Sequence, residues 1–145
     1  MMALTLRPLE WLIGDWEAEP DPSGATGGST FALVAGDSAI VRTSWAEYPA
    51  GDRRAGRHDD VLLIFVERGD VAGLYADNEG HVIRYQVSVT DDRAVFVSAE
   101  GPGPRFRLTY ERQGEREANV RFEIAPPGAD FASYVGGRIR RSGPR

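Results

Sequence analysis

The chain has 145 residues, 22 acidic against 17 basic, and a net charge of −5. That length is enough for one domain that buries roughly two thirds of its unfolded surface, and the absence of Cys excludes disulfides, thiol chemistry and thiolate-held metals. An acidic surface with interspersed charges and no basic stripe argues against nucleic acid as a partner.

Pro8 to Ile13 sets Leu9, Leu12 and Ile13 at helical spacing. Pro8 suits a first helical position and Gly14 a stop, so a short helical turn is predicted. Asp15–Glu19 reads as a first strand, ended by the Pro- and Gly-rich stretch to Gly28. Ser29–Val34 puts Phe31 and Leu33 on one face. Ala39–Tyr48 sorts Val41, Thr43 and Trp45 to one face and Arg42 and Ser44 to the other. Pro49–His58 is polar and Gly/Arg-rich and predicts an exposed loop. Val61–Val66 is apolar on both faces, which marks a strand covered on both sides or packed near a barrel end.

Val71–Asp77 follows a tight turn at Arg68-Gly69-Asp70. Asn78-Glu79-Gly80 closes the clearest hairpin. His81–Val89 then alternates His81, Ile83, Tyr85, Val87 and Val89 against polar neighbours. A two-residue turn at Asp91-Asp92 would set Val87 opposite Phe96 and Tyr85 opposite Ser98. Arg105–Arg112, Glu117–Ile124 and Phe131–Arg141 complete the strands, separated by Gly and Pro breaks. About ten short strands joined by hairpin-length turns predict an all-β fold: an antiparallel up-and-down β-barrel with one N-terminal helical turn, in a single domain spanning 1–145. No apolar stretch reaches membrane-spanning length, and the first residues lack a signal peptide's apolar run, so a soluble cytoplasmic protein with no membrane partner is expected.

Leu9-Glu-Trp-Leu-Ile-Gly-Asp-Trp16 resembles the opening of nitrobindin-like and fatty-acid-binding-protein-like barrels of the calycin group, including the lipocalins. In those, a short helical segment precedes a Gly-x-Trp on the first strand. Tyr134-Val-Gly-Gly-Arg-Ile-Arg-Arg141 looks like the last nitrobindin strand, which also ends in an Arg-rich run. The resemblance implies that Trp16 closes one barrel end beneath an Arg of the last strand: Arg138, Arg140 or Arg141. It also implies haem held by a His on that strand. Here Tyr134 stands where that His would be, and Ala18 and Pro20 replace two further glycines of the nitrobindin opening.

All 17 basic residues are Arg, so no Lys can form a Schiff base, and His58 and His81 are the two His. A three-residue turn would bring Asp77 opposite His81, where a carboxylate fixes the imidazole tautomer, and Tyr85 shares the His81 face. Barrels of this size can leave room for one small ligand. Trp45, Tyr75 and Phe96 have small same-face neighbours in Thr43, Gly73 and Ser98, so they join His81, Tyr85 and Tyr134 as expected ligand contacts. The loop Gly51–Asp60 lacks a phosphate-loop pattern, and two carboxylates with one His are weak grounds for a metal, so none is expected. The expected partner is a small, mostly apolar molecule; a homodimer is left open. The alternatives are an isomerase or hydrolase using Asp77, His81 and Tyr85, and ferric haem bound through Tyr134, whose phenolate can ligate iron.

Overall fold

The computed structural model describes residues 2–52 and 55–143. A 3-10 helix, Leu4–Leu12, leads into ten strands: β1 (Gly14–Ala18), β2 (Thr26–Val34), β3 (Ala39–Tyr48), β4 (Gly56–Glu67), β5 (Asp70–Asp77), β6 (Val82–Val89), β7 (Arg93–Ser98), β8 (Arg105–Gln113), β9 (Glu117–Ala125) and β10 (Ala132–Arg141). Each strand pairs antiparallel with its neighbour in sequence, and β1 pairs with β10 to close the barrel. Closure leaves no edge strand to template aggregation. The hairpin registers fall where the alternation placed them: Val87 faces Phe96 and Tyr85 faces Ser98.

The opening helix is longer and tighter than the predicted turn. It begins at Leu4, with Pro8 inside it. At about three residues per turn, Leu6, Leu9 and Leu12 share one side, and all three are fully buried. The helix packs against β4 and β5 and closes the barrel end that carries the tight turns. The other end, called the open end because no helix crosses it among the described residues, carries the longer loops, which include 19–25, 49–52, 78–81, 99–104 and 126–131.

Trp16 seals the plugged end. Its indole N–H donates to the Leu12 carbonyl at 2.9 Å. The Arg141 guanidinium lies 4.4 Å from its ring centroid, donates to the Ile13 carbonyl at 2.8 Å and also binds the Trp11 carbonyl. Arg141 is thus the closing arginine, and the expectation for Arg138 and Arg140 is corrected. Those two residues lie one position out of phase, so they face outward and pair with Glu117 and Glu19.

The middle of the barrel is filled. Phe31 meets Tyr110 at 5.4 Å, Tyr110 meets Phe96 at 6.4 Å, and Phe96 meets Tyr85 at 5.9 Å, all edge-to-face. Such pairs are each worth about 0.5–1.5 kcal/mol beyond the area they bury.

Candidate functional site

Cross-strand partners share a face, so the register decides what points inward. Phe31, Arg42, Leu62, Tyr75 and Ile83 form one inward row, and Ser29, Ser44, Asp60 and Asp77 form the next, nearer the open end. Two readings of the sequence are corrected here. β3 is turned over: Arg42 and Ser44 face the interior, while Val41, Thr43 and Trp45 face out. β4 begins at Gly56, so His58 and Asp60 belong to a paired strand rather than to a loop. Alternation then sends Arg57 and Asp59 outward and His58 and Asp60 inward. Arg53 and Arg54 of that loop lie outside the described residues.

The inward polar groups form one hydrogen-bonded chain. Arg42 Nη1 donates to the Tyr110 hydroxyl at 2.9 Å, and Nη2 donates to Asp60 Oδ1 at 2.5 Å. The side chains of Arg42 and Asp60 are 6% and 7% exposed. Asp60 Oδ2 lies 3.0 Å from His58 Nε2, which is 3.1 Å from the Tyr75 hydroxyl. Tyr75 donates to Asp77 Oδ2 at 2.9 Å. Asp77 Oδ1 accepts the backbone N–H groups of Glu79 and His81 at 2.9 and 3.0 Å. His81 Nδ1 sits 2.9 Å from Asp77 Oδ2, and Glu79 Oε2 sits 3.2 Å from His58 Nδ1. The chain runs from the packed middle of the barrel to its open rim.

Electrostatics follow from that wiring. Burial works against the Arg42 charge, but Tyr110 and Asp60 outweigh it and raise the guanidinium above its ordinary range. Burial, then the Asp60 carboxylate and the bond to Asp77, push the Tyr75 phenol up, so it acts as a neutral donor. Burial would raise Asp77, but the N–H groups of His81 and Glu79, the Tyr75 hydroxyl and His81 overcome it and lower the carboxyl to about 2. Burial likewise pushes the Tyr85 phenol up.

Of the expected contacts, Asp77 and His81 meet as predicted, but the His81 side chain is 63% exposed at the rim. Tyr85 and Phe96 are packed core residues, 2% and 0% exposed. The space beside them is taken: a Cβ on Gly73 would lie 3.2 Å from Leu62 and 3.6 Å from both Phe96 and Tyr85, and the Ser98 hydroxyl accepts the Phe106 N–H at 2.8 Å. The proposed trio of Asp77, His81 and Tyr85 is therefore not joined; Tyr75 is the phenol bonded to Asp77.

Trp45 lies on the outer wall, stacked under Arg57 at 5.1 Å. It borders an open groove of about 470 Å³ that also includes Asp15, Glu17, Thr30 and Asp59. Tyr134 is the extra residue of a β-bulge opposite Phe122. Its ring meets the edge of Phe122 at 6.2 Å, and the residue is 44% exposed. Bulges break the alternation and re-aim a side chain. Phe122 in turn stacks on Phe106 at 6.0 Å. Both Phe belong to the inward row of β8 and β9, yet both are only partly buried.

Sequence reasoning missed Arg42, His58, Asp60 and Tyr110 as a connected set. The available signal was that Arg42 and Ser44 share one parity on β3 and that His58 and Asp60 share one on β4. Among the described residues, His58, Asp77 and Glu79 are the group whose donors lie close enough together to hold a metal ion.

The fold has counterparts among solved structures. The crystal structure of Rv2717c from M. tuberculosis matches with a TM-score of 0.67 at 17% identity, covering 99% of this chain and 100% of that one. The crystal structure of Treponema pallidum Tp0751 (pallilysin) matches with a TM-score of 0.40 at 12% identity, over 100% of this chain and 85% of that one. No protein-family model and no curated protein matches the chain. Likeness to Rv2717c at this identity establishes a shared closed-barrel fold.

Proposed function

We propose that this chain is a calycin-like barrel that binds a small, mostly apolar molecule at its open end. One observation carries the reading. The inward-facing residues of that end are polar on β4 and β5, where His58, Tyr75 and Asp77 stand, and apolar on β8 and β9, where Phe106 and Phe122 stand, all partly buried, while the barrel middle is packed. An apolar body lies against the Phe pair and a polar end meets Tyr75 or His58, the division of labour usual in ligand sites. His81 and Tyr134 stand at the rim as further contacts. Tyr85 and Phe96 form the floor.

Native mass spectrometry of freshly purified protein, with binding of an environment-sensitive apolar fluorophore, tests this. A retained mass above the bare chain, or fluorophore binding that weakens several-fold in Tyr75→Phe and Tyr134→Ala, is the expected result. A bare-chain mass with no fluorophore binding overturns it.

Ferric haem held through Tyr134 is the second reading, favoured by the bulge that brings Tyr134 against inward-facing Phe122. A hemin titration decides it: the absence of a Soret shift, or a shift unchanged in Tyr134→Phe, removes haem.

A further inference from the structure

We infer that His58, Asp77 and Glu79 form a binding site for one divalent first-row transition-metal ion of the zinc type, facing the open end of the barrel. One donor atom from each residue lies within 4.8 Å of the other two. Ligands bound at about 2.0–2.2 Å in a tetrahedral site stand about 3.3–3.6 Å apart, so a small rotation of the exposed Glu79 side chain would draw the three donors onto one ion. Imidazole plus two carboxylates is a donor set suited to such ions.

The hydrogen bonding around His58 points to a cation. Asp60 Oδ2 faces Nε2 at 3.0 Å. The Asp60 carboxylate also accepts from Arg42 at 2.5 Å, which fixes it as an acceptor, so Nε2 carries the proton. The other nitrogen, Nδ1, then turns its lone pair on Glu79 Oε2, another acceptor, at 3.2 Å. Lone pair against carboxylate is repulsive unless a cation is shared between them, either a second ring proton or a metal ion. A proton joins Nδ1 to Glu79 alone. A metal ion would join Asp77 as well, the third donor of the same group, by taking the place of the exposed His81 ring on Oδ2.

The surroundings match the outer shell of a metal centre. Metal-bound His residues commonly donate their other N–H to a carboxylate, which orients the ring. Asp60 fills that role and is itself anchored by buried Arg42. Tyr75 and two backbone N–H groups hold Asp77, and the exposed His81 ring sits on Oδ2 until an ion displaces it. Charge agrees as well: Arg42 neutralises Asp60, which leaves the Asp77 and Glu79 carboxylates to balance a divalent ion. The site does not depend on the ligand proposed above.

Titration of the full, tag-free chain with Zn²⁺ by calorimetry, and with Co²⁺ by visible absorption, tests the inference. One equivalent of Zn²⁺ should bind, excess Mg²⁺ should not displace it, and Co²⁺ should show d–d bands. His58→Gln and Glu79→Gln should each weaken Zn²⁺ binding at least ~10-fold. Both side chains are at least partly exposed, and unchanged circular dichroism and melting would show that the variants fold. Glu67→Gln, an exposed side chain paired with Arg84 away from the cluster, should leave affinity within about twofold, a change of no more than ~0.4 kcal/mol. The inference is overturned if no stoichiometric binding occurs, if Mg²⁺ competes equally, if Glu79→Gln binds as the parent does, or if His81→Gln abolishes binding while His58→Gln keeps it. The last result would place the ion on an exposed rim histidine.

Discussion

Removing Asp60 should destabilise the barrel more than any surface change, because it strands a buried cation. In Asp60→Ala, Arg42 keeps its bond to Tyr110 but loses the carboxylate 2.5 Å away. Its side chain is 6% exposed, and Nε already has no hydrogen-bond partner. Breaking a buried pair from one side costs about 3–5 kcal/mol. For a domain of this size each kcal/mol moves the melting temperature by about 3–4 °C, so a fall of about 10–20 °C is expected. Urea melts at neutral pH followed by Trp fluorescence, with calorimetry for the melting temperature, read the effect. The penalty belongs to the uncompensated charge rather than to the lost contact, so the double variant Arg42→Met with Asp60→Leu should recover most of it. The coupling between the two positions should be at least ~2 kcal/mol. A loss under ~1 kcal/mol in Asp60→Ala, or a double variant as unstable as the sum of the singles, would refute the reasoning.

Two further outcomes follow from the same geometry. Asp77 is lowered from 3.8 to about 2 on folding, so its contribution of about 2 kcal/mol is complete above its unfolded value and is lost as pH falls through its folded one. Acid titration of stability should therefore show a step between about pH 4 and pH 2 that flattens in Asp77→Asn; equal pH profiles for the two proteins would sink the assignment. Arg141→Met should cost about 2–3 kcal/mol, because it strips donors from the Ile13 and Trp11 carbonyls and the cation from over Trp16. Arg138→Ala and Arg140→Ala should stay within about 0.5 kcal/mol, since both residues are exposed; denaturant midpoints of the three variants separate the cases.

The site was only half legible in the sequence, for a reason visible at β3. Hydrophobic alternation assigns the apolar face to the core. It works for β6, where Ile83 and Tyr85 are buried. It inverts β3, because Arg42 can face inward once Asp60 and Tyr110 satisfy its donors. Those partners lie 18 and 68 residues away in the chain. The outer face of β4 shows the converse: Val61 and Leu63 are 40% and 37% exposed, although an apolar run suggested cover on both sides or packing near a barrel end. Neither outcome can be read from a window of neighbours.

Local chemistry alone determined a good deal. Turn residues and a two-residue period set the number of strands, their antiparallel order and the Tyr85–Ser98 register. The likeness of the Gly-x-Trp opening and the Arg-rich last strand to calycin barrels pointed to the two ends that meet, and Trp16 and Arg141 are register partners. The spacing of Asp77 and His81 settled their contact, because a hairpin turn is a local object. Closure of the barrel decided the rest. It chose Arg141 over its two neighbours by parity, packed the middle around Phe31, Phe96 and Tyr110, and turned the polar face of β3 and β4 inward. Whether a charge can be buried depends on partners that only the folded chain brings within hydrogen-bonding distance. For that reason Arg42, Asp60, His58, Tyr75 and Asp77 became one connected site in three dimensions.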